Sequence, residues 1–242
     1  MNRVSFVALL AVVSLLSASV PARAQSAPRY RVTITNLTKG QTFTPMLIAT
    51  HSPATRIFAP GTASSPQLAV LAEEGDTAML AALLRGTTAT VGEVVTGPPP
   101  LAGLQTPGTT RTYDISGGGT FTQLSLAAML IPTNDAFVGA NSVTLPSGFD
   151  PIVVDLLAYD SGTEINDELC ATIPGPSFTE CGGPGGGGRA GRGEGAITVH
   201  NGMHGVGNMN AALRDWRGPV VRVTIVRVPS PATFAPAPAG LV

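Results

Sequence analysis

Apolar and polar positions alternate with a period of two in several short stretches of this chain. In residues 31–37, Val32 and Ile34 point one way and Thr33 and Thr35 the other, the pattern of a strand buried on one face. Residues 220–228 repeat it near the other end, with Val221, Val223 and Ile225 on one face and Arg222 and Thr224 opposite. The longest run, residues 120–131, sets Leu124, Leu126, Ala128 and Leu130 against Gln123, Ser125 and Ala127. Residues 45–50, 151–159 and 196–200 are shorter, more continuously apolar strand candidates. Residues 91–96 and 111–116 carry the pattern less cleanly.

A helical period appears once. Ser65 is a good N-cap, Pro66 fits the first helical position and Gly75 ends the segment. Asp76 then caps a second short helix over residues 77–85, stopped by Gly86. Its expected apolar stripe is Met79, Leu80, Leu83 and Leu84. The stripe predicts packing against a sheet rather than a cofactor site.

The first residues read as an export signal. Arg3 precedes an apolar run over residues 4–16, and Ala22-Arg23-Ala24 forms a small-x-small cleavage site. The expectation is a signal peptide over residues 1–24, cleaved after Ala24, and one folded domain over residues 25–242. The product would be secreted or periplasmic, and no later stretch of the sequence is apolar and long enough to span a bilayer.

Charged residues make up only 12%, against 29 glycines and 21 prolines among 242 residues. Together with abundant Thr, Ser and Val, this predicts a mainly β fold of short strands joined by turns. Net charge is −1 and Lys39 is the only lysine, so nucleic-acid binding has no electrostatic basis. In an exported chain the isolated pair Cys170 and Cys181 reads as a disulfide. Residues 182–195, with four consecutive glycines at 185–188, read as a flexible loop.

Five features occur in an order that resembles the spondin N-terminal domain, as in F-spondin and small bacterial secreted proteins of that family. They are the opening strand Tyr30-Arg31-Val32-Thr33-Ile34-Thr35-Asn36-Leu37 and Ala49-Thr50-His51 with the helix carrying Leu71-Ala72-Glu73-Glu74-Gly75. The more specific ones are Ile131-Pro132-Thr133-Asn134-Asp135-Ala136-Phe137-Val138-Gly139 and Asp155-Leu156-Leu157-Ala158-Tyr159-Asp160-Ser161-Gly162-Thr163-Glu164. The closing strand, residues 221–228, completes the set. The resemblance implies an antiparallel β-sandwich similar to C2 domains, with a short helical insertion and calcium held between loops at one end. By motif, the implied calcium ligands are Asp135, Asp160 and Glu164, with Glu164 standing where the family pattern has aspartate.

The residues themselves are compatible with that mapping. Calcium takes six to eight oxygens in flexible geometry. Asp160 and Glu164 flank a glycine turn, and Asp135 follows the longest strand candidate. Ordinary turn chemistry, with Asp capping its own backbone, accounts for the same residues. His200 and His204 are four apart, a zinc spacing on a helix, with His51 as a conceivable third ligand. Gly202 and Gly205 argue for a turn instead, its imidazoles bonded to backbone. Trp216, the only tryptophan, is read as a packing anchor.

No Gly-x-Ser-x-Gly elbow and no phosphate-binding loop is present in the sequence. The expected function is a calcium-binding adhesion or ligand-binding module rather than an enzyme, with an extracellular protein, a glycan or a membrane surface as partner. The alternative is an extracytoplasmic hydrolase using the acidic loops, Asp135 and Asp160, on a glycan or ester.

Overall fold

A computed structural model describes residues 27–229, and the expected signal peptide lies outside these residues. The chain opens with β1 (Arg29–Asn36), β2 (Thr42–Phe43) and β3 (Leu47–His51), followed by α1 (Pro66–Glu74) and α2 (Ala78–Gly86). Next come β4 (Val91–Thr96), α3 (Pro100–Gly103), β5 (Thr110–Ser116), β6 (Gln123–Ile131) and β7 (Ala136–Thr144). The remainder is β8 (Ile152–Leu156), β9 (Ala158–Asp160), β10 (Ser177–Phe178), β11 (Gly183–Pro184), β12 (Thr198–Val199), α4 (Ala211–Arg214) and β13 (Val221–Val228).

Two antiparallel sheets face each other. One has the order β5-β1-β13-β8; the other runs β12-β9-β7-β6-β3-β4, with β2 added beside β6. The two end strands of the described chain pair centrally in the first sheet, with Ile34 opposite Val223 and Val32 opposite Ile225. Those side chains meet Leu124, Leu126, Ala128 and Leu130 of β6 in one core, so the alternation read in both strands is the buried face of the sandwich. The outward residues pair across strands: Arg222 donates twice to the Asp155 carboxylate at 2.8 and 2.7 Å.

The outer face of the second sheet is buried as well. α1 and α2 lie over it and form a second core, in which Leu68, Leu71, Leu80 and Leu84 meet Leu47, Ala127 and Phe137. This is why β6 is buried over almost its whole length. Ser65 caps α1 by accepting from the Leu68 N–H, and Gly75 closes it in the left-handed conformation. The apolar stripe expected on α2 is corrected: Leu80 and Leu84 are buried with Ala81, but Met79 and Leu83 are 46% and 48% exposed. A two-turn helix lying on a sheet buries one narrow stripe, and these two side chains fall on its flank.

Two further differences position the loops. β7 was not foreseen as a strand because Gly139, Asn141 and Ser142 break its alternation. Gly139 is there for contact: a Cβ on it would stand 2.7 Å from the Phe58 ring, which also packs against Phe137 and Tyr159 at 5.2 and 4.8 Å. The run over residues 151–159, expected as one strand, is two. β8 pairs with β13 in the first sheet and β9 pairs with β7 in the second. The chain crosses between sheets at Leu157, and the crossing delivers Asp160 beside the β6–β7 turn.

The disulfide forms between Cys170 and Cys181. The glycine-rich residues 182–195 are laid along the segment before it. Gly186 and Gly188 donate to the carbonyls of Cys170 and Ala171, and Gly193 and Gly195 to those of Thr163 and Gly162. The glycine stretch is thus hydrogen-bonded along much of its length.

The buried stripe and the exposed flank of α2 supply a test. Leu80→Ala is expected to destabilise by about 2–5 kcal/mol, whereas Met79→Ala should stay within about 0.5 kcal/mol of wild type. Denaturant unfolding of both variants measures the contrast, and equal losses would contradict this placement of the helix.

Candidate functional site

The β6–β7 turn and the loop after β9 meet at one end of the sandwich. Ala136 pairs with Asp160 across β7 and β9, so Asp135 stands next to the start of the 160–168 loop. The Thr133 hydroxyl accepts from the Ala136 N–H and donates to the Leu130 carbonyl, closing the turn. Asp135 is fully buried. Its Oδ2 accepts from the Thr163 N–H at 2.8 Å, the Thr163 hydroxyl at 3.0 Å and the Glu164 N–H at 3.0 Å. Its Oδ1 is buried and has no partner among the described residues.

Asp160 is also buried. Its Oδ1 accepts from the Gly162 N–H at 2.7 Å, and its Oδ2 from the Asn166 side-chain amide. Gly162 adopts φ 69°, and a Cβ there would meet the Ala196 carbonyl oxygen at 2.3 Å. The turn that aims the loop back at Asp135 therefore needs glycine on two counts. The Ser161 hydroxyl is bonded to that of Ser64, 2.6 Å away, which ties the loop to the approach to α1.

Burial, and next the charge of Asp160, push the Asp135 carboxyl up from its usual 3.8 to about 7, against the three hydrogen bonds that favour its ionised form. Burial likewise raises Asp160, opposed by Asn166 and the Gly162 N–H. Two acids with raised pKa values side by side form a site that gains from a proton or a cation.

Of the three residues expected as calcium ligands, the structure brings two together. Glu164 joins them through its backbone N–H, while the charges nearest its own carboxylate are those of Glu73, Arg189 and Asp167. Burial raises its pKa too. Among the described residues no group of three or more His, Cys, Asp or Glu side chains is placed to hold a metal.

The histidines do not form a cluster. His51 is buried at the end of β3, with Nε2 2.8 Å from the Ser125 hydroxyl and Nδ1 2.8 Å from the Ser52 carbonyl. His200 accepts at Nδ1 from the Gly202 N–H, a turn bonded to backbone as the glycines predict. Its Nε2 lies 3.2 Å from the Asn166 carbonyl oxygen. Burial, and then His204, push it down to about 4. Trp216 is buried in the main core with its ring 5.0 Å from that of His200, the packing anchor expected of it.

Three residues that sequence reasoning missed hold the loops together. Asn166 bridges Asp160 and His200. Asn134 accepts from the Glu168 N–H and donates to Asp167. The Glu168 carboxylate accepts from the N–H groups of His204, Gly205 and Val206 at 2.6, 2.6 and 3.0 Å. The only signal in the sequence was the density of Asn, Asp and Glu over residues 160–168.

A family model described as Spondin_N matches residues 31–169, a span that runs from β1 through both acidic loops. No curated protein matches the chain.

The raised acid has a signed consequence. The cost of ionising Asp135 in the fold is absent below its unfolded value near 3.8, grows as pH rises toward 7 and is full above that. The depressed His200 acts oppositely in part of this window, so the test is a comparison at each pH. In chelator, the melting temperature of Asp135→Asn should gain on that of wild type as pH rises from about 5 to 8. Parallel curves would contradict the buried, unpaired carboxylate.

Proposed function

The chain belongs to the spondin N-terminal domain family, and from that membership we propose that it is an extracellular binding module whose acidic loop end is held by a calcium ion between Asp135 and Asp160. One observation carries the reading: Asp135 Oδ1 is buried with no partner among the described residues, beside a second buried carboxylate. An unpartnered buried charge is costly, and a hard cation would supply the missing partner while offsetting the repulsion between the two acids.

The donor set fits such a cation through two carboxylates, with waters and backbone carbonyls completing the six to eight oxygens calcium takes. The ion would stiffen the junction of the β6–β7 turn and the 160–168 loop. The loops so fixed present Ile165, Leu169 and Val206 to solvent, at 44%, 41% and 70% exposure. Apolar side chains on loops locked by an ion make a contact surface for a partner protein, a glycan or a membrane. The Cys170–Cys181 disulfide next to these loops agrees with an oxidising, extracellular setting.

The hydrolase reading has less support. Asp135 has no accessible surface, so a substrate would reach it only after the loops moved. Loss of a measured hydrolytic activity in a folded Asp160→Ala variant would favour that reading over the first.

Calcium is expected to raise the melting temperature of the protein saturably, and a chelator to reverse the gain. Asp160→Asn should abolish the response, and Glu164→Gln should leave most of it. A calcium response equal in wild type and Asp160→Asn, or none in either, would contradict the proposed site.

A further inference from the structure

One cavity shares no lining residue with the acidic loops. It measures about 480 Å³, within the range of small-molecule sites. Its walls come from the β2–β3 connection, the α1–α2 junction, the segment around α3, the end of β6 that leads into the β6–β7 turn, and the disulfide loop with β11. Seven of its eighteen lining residues are prolines. Proline fixes its own φ and gives up no N–H, so these walls are rigid and expose few donors. Leu101 and Leu104 supply apolar surface, over the buried Met129 and Ile131. Leu101 is 79% exposed at the mouth, a large apolar side chain left in solvent.

The charge of the cavity is one-sided. Glu74 and Asp76 line it, and among the described residues no Lys, Arg or His does. Both are exposed, and among the described residues neither has an ion-pair partner. α1 also ends there at Gly75, so its last carbonyls add partial negative charge. The opposing positive end of α2 is already met, because Asp76 Oδ1 accepts from the Ala78 N–H at 2.8 Å.

The geometry points to a binding site for a small amphiphilic cation: an apolar body seated among the prolines, Leu101 and Leu104, with one ammonium group directed to Glu74 and Asp76. A preformed rigid wall lowers the ordering cost of binding. The disulfide fixes one side, since Pro174, Gly175 and Pro176 lie between Cys170 and Cys181. This site is independent of the proposed calcium site and stands or falls separately from it.

A matched set of probes tests it on the full folded protein: hexylammonium, hexanol and hexanoate, titrated at low salt by NMR. Hexylammonium is expected to bind saturably and about fivefold more tightly than hexanol, the scale of a partly exposed ion pair, with hexanoate weakest. Glu74→Gln/Asp76→Asn should bring hexylammonium to the level of hexanol, while asparagine keeps the cap on α2. Leu101→Ser should weaken all three. The absence of saturable binding, equal affinity for the three probes, or a cation preference that survives the double substitution would each overturn the site.

Discussion

The loop end of this protein is organised by one buried carboxylate. Asp135 Oδ2 gathers the Thr163 and Glu164 N–H groups and the Thr163 hydroxyl, so a single side chain from the β6–β7 turn dictates the course of a loop from another hairpin. Such charge-assisted bonds are stronger than neutral ones. They use only one oxygen, however, and the other is left buried and unpaired. That imbalance is what makes the site chemically demanding rather than simply structural, because the group must acquire a proton or a cation, or bear the cost of neither.

The sandwich supplies the rigidity this arrangement needs. The β6–β7 hairpin is buried on both faces, by the first sheet on one side and by α1 and α2 on the other. The crossing at Leu157 sets β9 directly beside β7. Asp135 and Asp160 are therefore held together by backbone pairing, and their repulsion is not relieved by letting one loop drift. Glu168 does for residues 204–206 what Asp135 does for residues 163–164. Acidic side chains thus replace regular secondary structure as the partners of loop N–H groups at this end.

Strands exposed on one face were legible because their alternation survives: Val32 and Ile34, or Val221, Val223 and Ile225, announce their buried side directly. β7 was illegible because residues shaped by tertiary contact, Gly139 under the Phe58 ring above all, mimic a break. The division of residues 151–159 between two sheets was hidden for a related reason. Both halves are apolar, and periodicity cannot tell one long strand from two short ones that change partner. At the site, the motifs located Asp135, Asp160 and Glu164 in adjoining loops, but side-chain direction lay beyond them. Glu164 is bridged through its backbone to Arg192 in the glycine-rich segment, a pairing with residues far along the chain that no local motif encodes.

The most direct measurement is the titration of the Asp135 side-chain carboxyl itself, followed by carbon NMR in the metal-free protein and again with calcium. A midpoint near 7 without metal, falling below the usual carboxylate range when calcium is added, is the expected result. A midpoint near 3.8 in both conditions would show a carboxylate already satisfied, and would contradict both the unpaired oxygen and the ion assigned to it.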